Sequence, residues 1–472
     1  MAPTDEAEER TVRDRRLLFF GVYPRGLAAF AQAELARLGC TIDAHHERHC
    51  SIIFSLPCEE TTVFSTFELV FQLCTSAFAL PPLPTIDHIA TAADEEIRKH
   101  SQSWRSYFRP HERWRATVHR SSKTHAFKSP DVALVVGDAL AAVGAISLHE
   151  SCVVGPQVDL ERFDVEVVVY ISDGVDELKI VSGAAKRKDL TGQEPQLLAM
   201  GIRSNSMPCQ LASLEIEKGS IRSRAYDPVA FCVAHRAVDL LEKLCRDSGY
   251  LNATSIIALD PMCGVGTYLL AFRWVLANRK FFGINGVKLI GVDIEPDSIT
   301  HATENLARGT HSRACPALLL GSSSALPLRD SSVDIIVVDP PWGQRHAAHT
   351  YVKKHLPRWT REWARVLKPG GVAVVATITT TYFETQVLKP LENKGLLHLE
   401  DFVHFDNKGW TQCRLYTVRR TTRTSVEARK VCKERSDFVA SEAKPLESDQ
   451  TQPFEAIAGV ATQHSCRSLD DS

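Results

Sequence analysis

Residues 334–343 read Asp-Ile-Ile-Val-Val-Asp-Pro-Pro-Trp-Gly, and no other short run in the chain restricts its fold as much. Ile335 to Val338 form an unbroken apolar stretch, the pattern of a buried strand. Asp339-Pro340-Pro341-Trp342 follows at its carboxyl end, and in an open α/β sheet ligands bind beyond the carboxyl ends of the strands. A carboxylate, a stiff loop carbonyl and a large aromatic ring suit the grip of a planar base by its exocyclic amine. They also suit a plainer purpose, a strand ending in a proline-stiffened turn with a half-buried Trp. On these ten residues the two readings stand level, and the rest of the chain moves the balance.

At 472 residues the chain has room for two or three domains, and 44% hydrophobic residues suffice for real cores. A formal net charge of −2 and a pI of about 6.8 exclude a generally basic coater of nucleic acid, so any RNA or DNA contact has to come from a local patch. The 13 cysteines are scattered without a Cys-x-x-Cys pair, which argues against a zinc site and a secreted disulfide scaffold; no metal ligand set is expected. Met1 to Arg16 is charged, without the apolar core of a signal peptide. No stretch reaches the roughly 18 unbroken apolar residues of a membrane span. The expectation is a soluble, intracellular protein, cytoplasmic by default, with the nucleus left open because Arg419, Arg420, Lys430 and Lys433 are too sparse for a nuclear signal.

Alternating strand and helix patterns predict an α/β chain in several parts. Residues 15–84 read as a small α/β unit: strands at Leu17–Val22 and Ser51–Leu56, a helix at Gly26–Leu38 and a long helical stretch over Thr61–Phe78, closed by Pro81, Pro82 and Pro84. Residues 85–187 form a second α/β block, with strands at Trp114–His119, Phe163–Ile171 and Leu178–Ser182 and a helix opened by Ser129-Pro130-Asp131. Residues 188–250 read as a connector ending in an amphipathic helix over Val229–Cys245. Residues 251–420 carry a doubly wound α/β pattern, and 421–472 a polar tail expected to be disordered.

Within the third block Ser255–Leu259 reads as a strand leading to Asp260-Pro261-Met262-Cys263-Gly264-Val265-Gly266-Thr267 and then a helix. Glycines there let a ligand approach the backbone at a helix start. The run lacks the Gly-x-Gly-x-x-Gly dinucleotide fingerprint, which disfavours a nicotinamide enzyme. A second strand, Val287–Val292, ends in Asp293, whose carboxylate could accept both ribose hydroxyls of an adenosine cofactor or simply cap the helix that follows. Leu367-Lys368-Pro369-Gly370-Gly371 precedes a further strand, Val372–Ile378, and Cys413–Val418 reads as the last.

Taken in order, these signals resemble the class I S-adenosylmethionine-dependent methyltransferases, and Asp339-Pro340-Pro341-Trp342 resembles the (Asp/Asn)-Pro-Pro-aromatic motif of those that modify amino groups. Trp342 departs from the commoner Tyr or Phe. A second departure is Ser322, where the family usually places an acidic residue that holds the adenine amine; one net hydrogen bond is worth roughly 0.5–1.5 kcal/mol, so this need not abolish activity. Trp114-Arg115-Ala116-Thr117-Val118-His119-Arg120, Lys123 to Phe127 and Phe163 to Val169 resemble a THUMP RNA-binding domain, and Asp260 to Gly264 resembles the first motif of THUMP-containing methyltransferases. The resemblance covers roughly residues 15–420. It implies a ferredoxin-like N-terminal unit, a THUMP region and a Rossmann-like methyltransferase domain, acting on guanosine N2 in tRNA or another structured RNA rather than DNA. It also implies S-adenosylmethionine bound by Asp260, Cys263, Gly264, Gly266, Thr267, Asp293, Ile294 and Ser322, and a small zinc-ribbon activator subunit as partner.

The chemistry expected of the Asp-Pro-Pro-Trp run follows from its target. Guanine's exocyclic amine is a poor nucleophile because its lone pair is delocalised into the ring. Asp339 and the Pro340 carbonyl are expected to accept its two N–H groups, Pro341 to stiffen the loop and Trp342 to stack on the base, so that positioning carries most of the catalysis. The nucleotide would have to leave its stack to enter.

The RNA side is expected in the basic stretch Arg98–Lys128, where Arg105, Arg109, Arg113, Arg115, Arg120, Lys123 and Lys128 would meet phosphates. Trp104, Tyr107, Phe108, Trp114 and Phe127 lie among them and would either stack on unpaired bases or form core. The same chemistry on a spliceosomal small nuclear RNA or ribosomal RNA is the alternative, as is an RNA-binding adaptor that keeps the fold without catalysis, a reading that only Ser322 favours.

Overall fold

The structure, a computed structural model, describes residues 17–57, 61–109, 111–121, 125–146, 157–172, 194–204, 206–216, 225–247, 256–279, 286–308, 316–342, 349–407 and 411–422. Lys123, the strand expected at 178–182 and the tail from 423 lie outside them.

The N-terminal half is built on one nine-stranded sheet. Its strands are β1 (Phe19–Val22), β2 (Thr41–His46), β3 (Ser51–Ser55), β5 (Leu69–Leu73), β6 (Phe78–Leu80), β7 (Arg113–Arg120), β8 (Gln157–Val158), β9 (Val165–Ser172) and β10 (Gln196–Ser204), while β4 (Thr62–Phe64) and β11 (Cys209–Leu211) pair apart from it. The order β2-β3-β1-β5-β10-β9-β7-β8, with β6 also on β10, joins the two N-terminal blocks into one layer. β10 makes the join. It lies in the stretch read as a connector, and it runs antiparallel to β5 on one side and β9 on the other. The long helix expected over 61–78 is instead three short strands. Brief apolar runs do not separate buried strand from buried helix by periodicity, and Val63, Phe64, Val70 and Phe71 suit the pleated surface. Helices α1 (Ala28–Arg37), α2 (Ile86–Lys99), α3 (Ser101–Ser106) and α4 (Ser129–Ala142) belong to this half.

After α5 (Asp227–Asp247) the second half alternates strand and helix: β12 (Ile256–Asp260), α6 (Thr267–Asn278), β13 (Val287–Asp293), α7 (Pro296–Arg308), β14 (Ala317–Leu320), β15 (Val333–Val338), α8 (His349–Val366), β16 (Leu367–Thr377), β17 (Leu397–Asn407) and β18 (Thr411–Arg420). The sheet order is β14-β13-β12-β15-β16-β18-β17, parallel as far as β16 and antiparallel beyond. Alternation along each strand feeds two cores. Ile335, Val337, Val372 and Val374 face α5 and α6; Ile336, Val338, Ala373 and Val375 face α8. Because β12, β13 and β14 proceed to one side and β15 returns to the other side of β12, the chain direction reverses between β12 and β15. Doubly wound folds bind ligands at that switch point.

The two halves are clasped by buried polar contacts. Glu34 on α1 accepts the backbone N–H groups of Ser65 and Thr66 at 2.9 Å each and the Thr66 hydroxyl at 2.6 Å. The Ser65 hydroxyl also meets Nε2 of His235 on α5 at 2.9 Å. Burial alone would raise the Glu34 carboxyl, but hydrogen bonds from His235, Ser65 and Thr66 outweigh it and hold the group below its ordinary range. At the turn before α1, Gly26 adopts φ +81, and a Cβ there would lie 2.0 Å from the His404 carbonyl oxygen of β17. The approach leaves room only for glycine, and Asp406 N–H donates to the Arg25 carbonyl beside it at 3.1 Å.

Candidate active site

Three carboxylates stand at the carboxyl ends of adjacent strands: Asp293 closing β13, Asp260 closing β12 and Asp339 just beyond β15. Backbone hydrogen bonds stitch the loops that follow. Cys263 N–H donates to the Val292 carbonyl at 3.0 Å, Gly266 N–H to the Cys263 carbonyl at 2.8 Å and Gly321 N–H to the Asp293 carbonyl at 2.8 Å. Gly266 is the N-cap of α6 at φ +86 and Gly264 sits at φ +50; both are left-handed conformations that glycine adopts without a Cβ penalty. A Cβ added to Gly264 would meet nothing within 4 Å, so this turn opens onto free space.

Asp293 holds the turns on both sides of it. Oδ2 accepts the Gly264 N–H at 2.8 Å, locking the glycine turn, and Oδ1 accepts the Glu295 N–H at 3.0 Å ahead of α7. A carboxylate has about four lone-pair sites, so capacity remains for a ligand. Ile294 beside it is 61% exposed, an apolar side chain at the rim with nothing over it. Ser322 is half-buried and its hydroxyl accepts the Ser324 N–H at 3.2 Å. Cys263 and Thr267 are both buried, so they shape the turn from below.

Asp260 is 1% exposed; Oδ1 accepts the Met262 N–H at 3.1 Å, whereas Oδ2 is buried with no donor among the described residues. Burial pushes its carboxyl well above the ordinary range, and the charges of Asp293 and Asp339 add to the effect. An unsatisfied buried carboxylate oxygen is costly, and a cationic ligand would relieve it.

Asp339 is half-buried, and burial raises its carboxyl to about 7 against the pull of hydrogen bonds from Trp342 and Tyr268. The Trp342 indole N–H donates to Oδ1 at 2.5 Å and the Tyr268 hydroxyl to Oδ2 at 3.4 Å. The expectation for Trp342 did not include this bond. Its ring packs, half-buried, against the core formed by α5 and α6, and its polar edge is turned on the carboxylate. Tyr268 was not anticipated, because a lone Tyr in an apolar helix looks like core. Only the fold brings α6 under the loop after β15. Pro340 is buried and Pro341 half-buried, as a stiffened loop requires.

In the basic stretch the aromatic side chains take the second of their two expected places. Trp104, Phe108, Trp114 and Phe127 are core side chains, and the half-buried Tyr107 accepts a hydrogen bond from Gln72; none of the five is a free stacking platform. Arg105 donates to the Val143 carbonyl at 2.6 Å, Arg113 to Asp164 at 3.4 Å, and Arg120 to Ser129 and the Phe127 carbonyl. Arg115 binds the fully buried Glu166. Arg109 and Lys128 are exposed. An alternating strand pattern shows which residues are charged, not which charges the neighbouring strand consumes.

A switch-point site with a glycine turn, an acidic second strand and Asp-Pro-Pro at the fourth defines the Rossmann-like class I methyltransferase fold. Residues 243–394 match the family model UPF0020, described as RMKL-like, methyltransferase domain. The chain is 36% identical over 121 residues to the U6 snRNA (guanine-N(2))-methyltransferase THUMPD2 of Bos taurus, which covers 25% of this chain and 21% of that protein. It is 24% identical over 356 residues to the tRNA (guanine(6)-N(2))-methyltransferase THUMP3 of Mus musculus, covering 72% and 57%. It thus spans between about a fifth and just over half of these relatives. Among solved structures, TrmN from Thermus thermophilus superposes with a TM-score of 0.53 at 17% identity, over 86% of this chain and 99% of that one. SMU.472 complexed with SAH gives 0.55 at 14% identity, over 87% and 99%. At such identities the likeness is one of fold.

Proposed function

We propose that the chain transfers a methyl group from S-adenosylmethionine to the exocyclic N2 of a guanosine in tRNA. The observation that carries this reading is the convergence of Asp260, Asp293 and Asp339 with the Gly264–Gly266 turn at one switch point. The site suits the cofactor on observations of its own. The unpartnered Oδ2 of Asp260 fits a cation, the open space over Gly264 fits close approach to the backbone, and exposed Ile294 beside Asp293 fits an apolar ring next to ribose hydroxyls. When bound, the cofactor supplies an electrophilic methyl group on a sulfonium.

The chain's own residues supply the rest. Asp339 accepts an N–H of the target amine, which orients the nitrogen lone pair, and its elevated carboxyl can take up the proton released. The ionised form prevails above about pH 7 and is lost below it, so activity should fall on the acid side of neutrality. Guanosine and tRNA come from the curated relatives that match most of this chain. A U6-type small nuclear RNA is the second reading, favoured by the higher identity of the shorter match. A zinc-ribbon activator subunit and a cytoplasmic location complete the proposal.

The test is transfer from labelled S-adenosylmethionine into total small RNA, with and without the activator, and identification of the product nucleoside by mass spectrometry. N2-methylguanosine in tRNA is expected. The same nucleoside in small nuclear RNA selects the second reading, and no incorporation under either condition refutes the enzymatic one.

A further inference from the structure

Asp339 is held unevenly. Oδ1 carries a short bond from the Trp342 indole N–H at 2.5 Å, while Oδ2 has the Tyr268 hydroxyl at 3.4 Å, beyond the usual range for an O–H···O bond. One oxygen is therefore committed to the protein and the other is under-satisfied. Trp342 in turn is fixed by packing against the core of α5 and α6. The residue type matters, because a Phe at this position has no donor and a Tyr places its only donor at the far end of the ring, away from the indole edge used here.

We propose that Trp342 is a positioning residue. Its indole N–H anchors Oδ1 of Asp339, presents Oδ2 to the incoming amine and keeps the carboxylate charged. This rests on the reading of Asp339 as the acceptor of the target amine. Among the described residues, the titratable groups around the carboxylate are Tyr268 on α6 and Asp260 at the end of β12, with Asp293 on β13 and Cys413 on β18 one step further. Burial disfavours ionisation of Asp339, and no Lys or Arg is among these described groups. Among the described residues the Trp342 N–H gives the charged form its largest support, followed by the Tyr268 hydroxyl.

Two variants separate this role from base stacking. Trp342→Phe keeps a ring and loses the donor; Trp342→Gln keeps an N–H and loses the ring. Single-turnover methyl transfer is measured across roughly pH 5 to 9 with RNA and cofactor saturating. In parallel, Asp339 is titrated directly by carbon-13 carboxyl resonance, assigned by its absence from Asp339→Asn. A charge-assisted hydrogen bond corresponds to about one to two pH units. Trp342→Phe is expected to move both the acid limb and the Asp339 midpoint upward by that amount, with the rate recovering at the alkaline end; Trp342→Gln, slower for want of the ring, should keep both the limb and the midpoint nearer their wild-type positions than Trp342→Phe does. An unmoved midpoint in Trp342→Phe overturns the proposal. So does the stacking pattern, in which Phe is active with an unshifted limb and Gln is inactive at every pH. A midpoint that moves while the wild-type protein methylates no RNA supports the bond and refutes the functional reading beneath it.

Discussion

Arg115 is a test of what the N-terminal basic residues are for. Glu166 on β9 is fully buried, and its Oε1 accepts Arg115 Nε at 2.9 Å, Arg115 Nη2 at 2.6 Å and the Thr117 hydroxyl at 2.6 Å; Oε2 accepts Arg203 Nε at 2.7 Å. The Arg115 guanidinium also lies 3.7 Å from the centroid of the Phe163 ring. Arg115→Ala removes two charge-assisted bonds, worth about 1.5–3 kcal/mol each, and a cation–π contact worth about 0.5–1 kcal/mol at an exposed site. Both bonds share one oxygen that keeps Thr117, Arg203 still neutralises the carboxylate, and the Arg115 side chain is 30% exposed, so screening discounts the sum. The expected loss is about 2–3 kcal/mol, below the roughly 3–5 kcal/mol of a fully broken buried pair. Urea unfolding followed by circular dichroism reads it.

The pH dependence is signed. Burial would raise Glu166, but Thr117, Arg203 and Arg115 together hold it below its ordinary range. Its contribution is present above the unfolded carboxylate value and lost as pH falls through the lowered folded one. Arg115→Ala should move that loss to higher pH. A variant as stable as wild type to within about 0.5 kcal/mol, but with RNA affinity abolished, would refute the reasoning and restore Arg115 as a phosphate ligand.

Three further outcomes are expected. Gly266→Ala imposes a Cβ at φ +86, costing about 1–2 kcal/mol, and calorimetric titration should show weakened S-adenosylmethionine binding. On α8, Lys353, Lys354, Arg358 and Arg361 accompany a single acid, Glu362, which is buried against Arg365; the pair Lys354→Glu and Arg361→Glu should weaken tRNA binding and reduce its log–log salt slope by roughly one per lost phosphate contact, with cofactor affinity unchanged. Glu34→Ala strands the buried N–H and hydroxyl donors of Ser65 and Thr66. At about 1–3 kcal/mol per unsatisfied group it should cost at least roughly 3 kcal/mol, read as a lowered thermal midpoint.

The catalytic half was legible because parallel strands buried on both faces are written as continuous apolar runs, and each ends in residues whose chemistry needs no partner to be recognised. Ile256–Leu259, Leu289–Val292 and Ile335–Val338 announce themselves in this way, and so do the glycines between β12 and α6. The N-terminal half was harder to read. Its short strands over 62–80 lack a helix-excluding period, and β10 pairs with β5 and β9 across more than a hundred residues in one case and about thirty in the other.

The sequence by itself determined the doubly wound pattern, the place of the three carboxylates at strand ends and the presence of a basic, aromatic-rich stretch at 98–128. Tertiary structure alone decided how those groups are spent. Whether an Arg faces solvent or a buried carboxylate depends on the strand beside it, which is why Arg115 belongs to Glu166. Whether a Trp offers its ring face or its N–H depends on what packs against it, which is why Trp342 bonds Asp339. Covalent order and residue type are local properties, whereas hydrogen-bond partnership is settled by which distant segment arrives within about 3 Å.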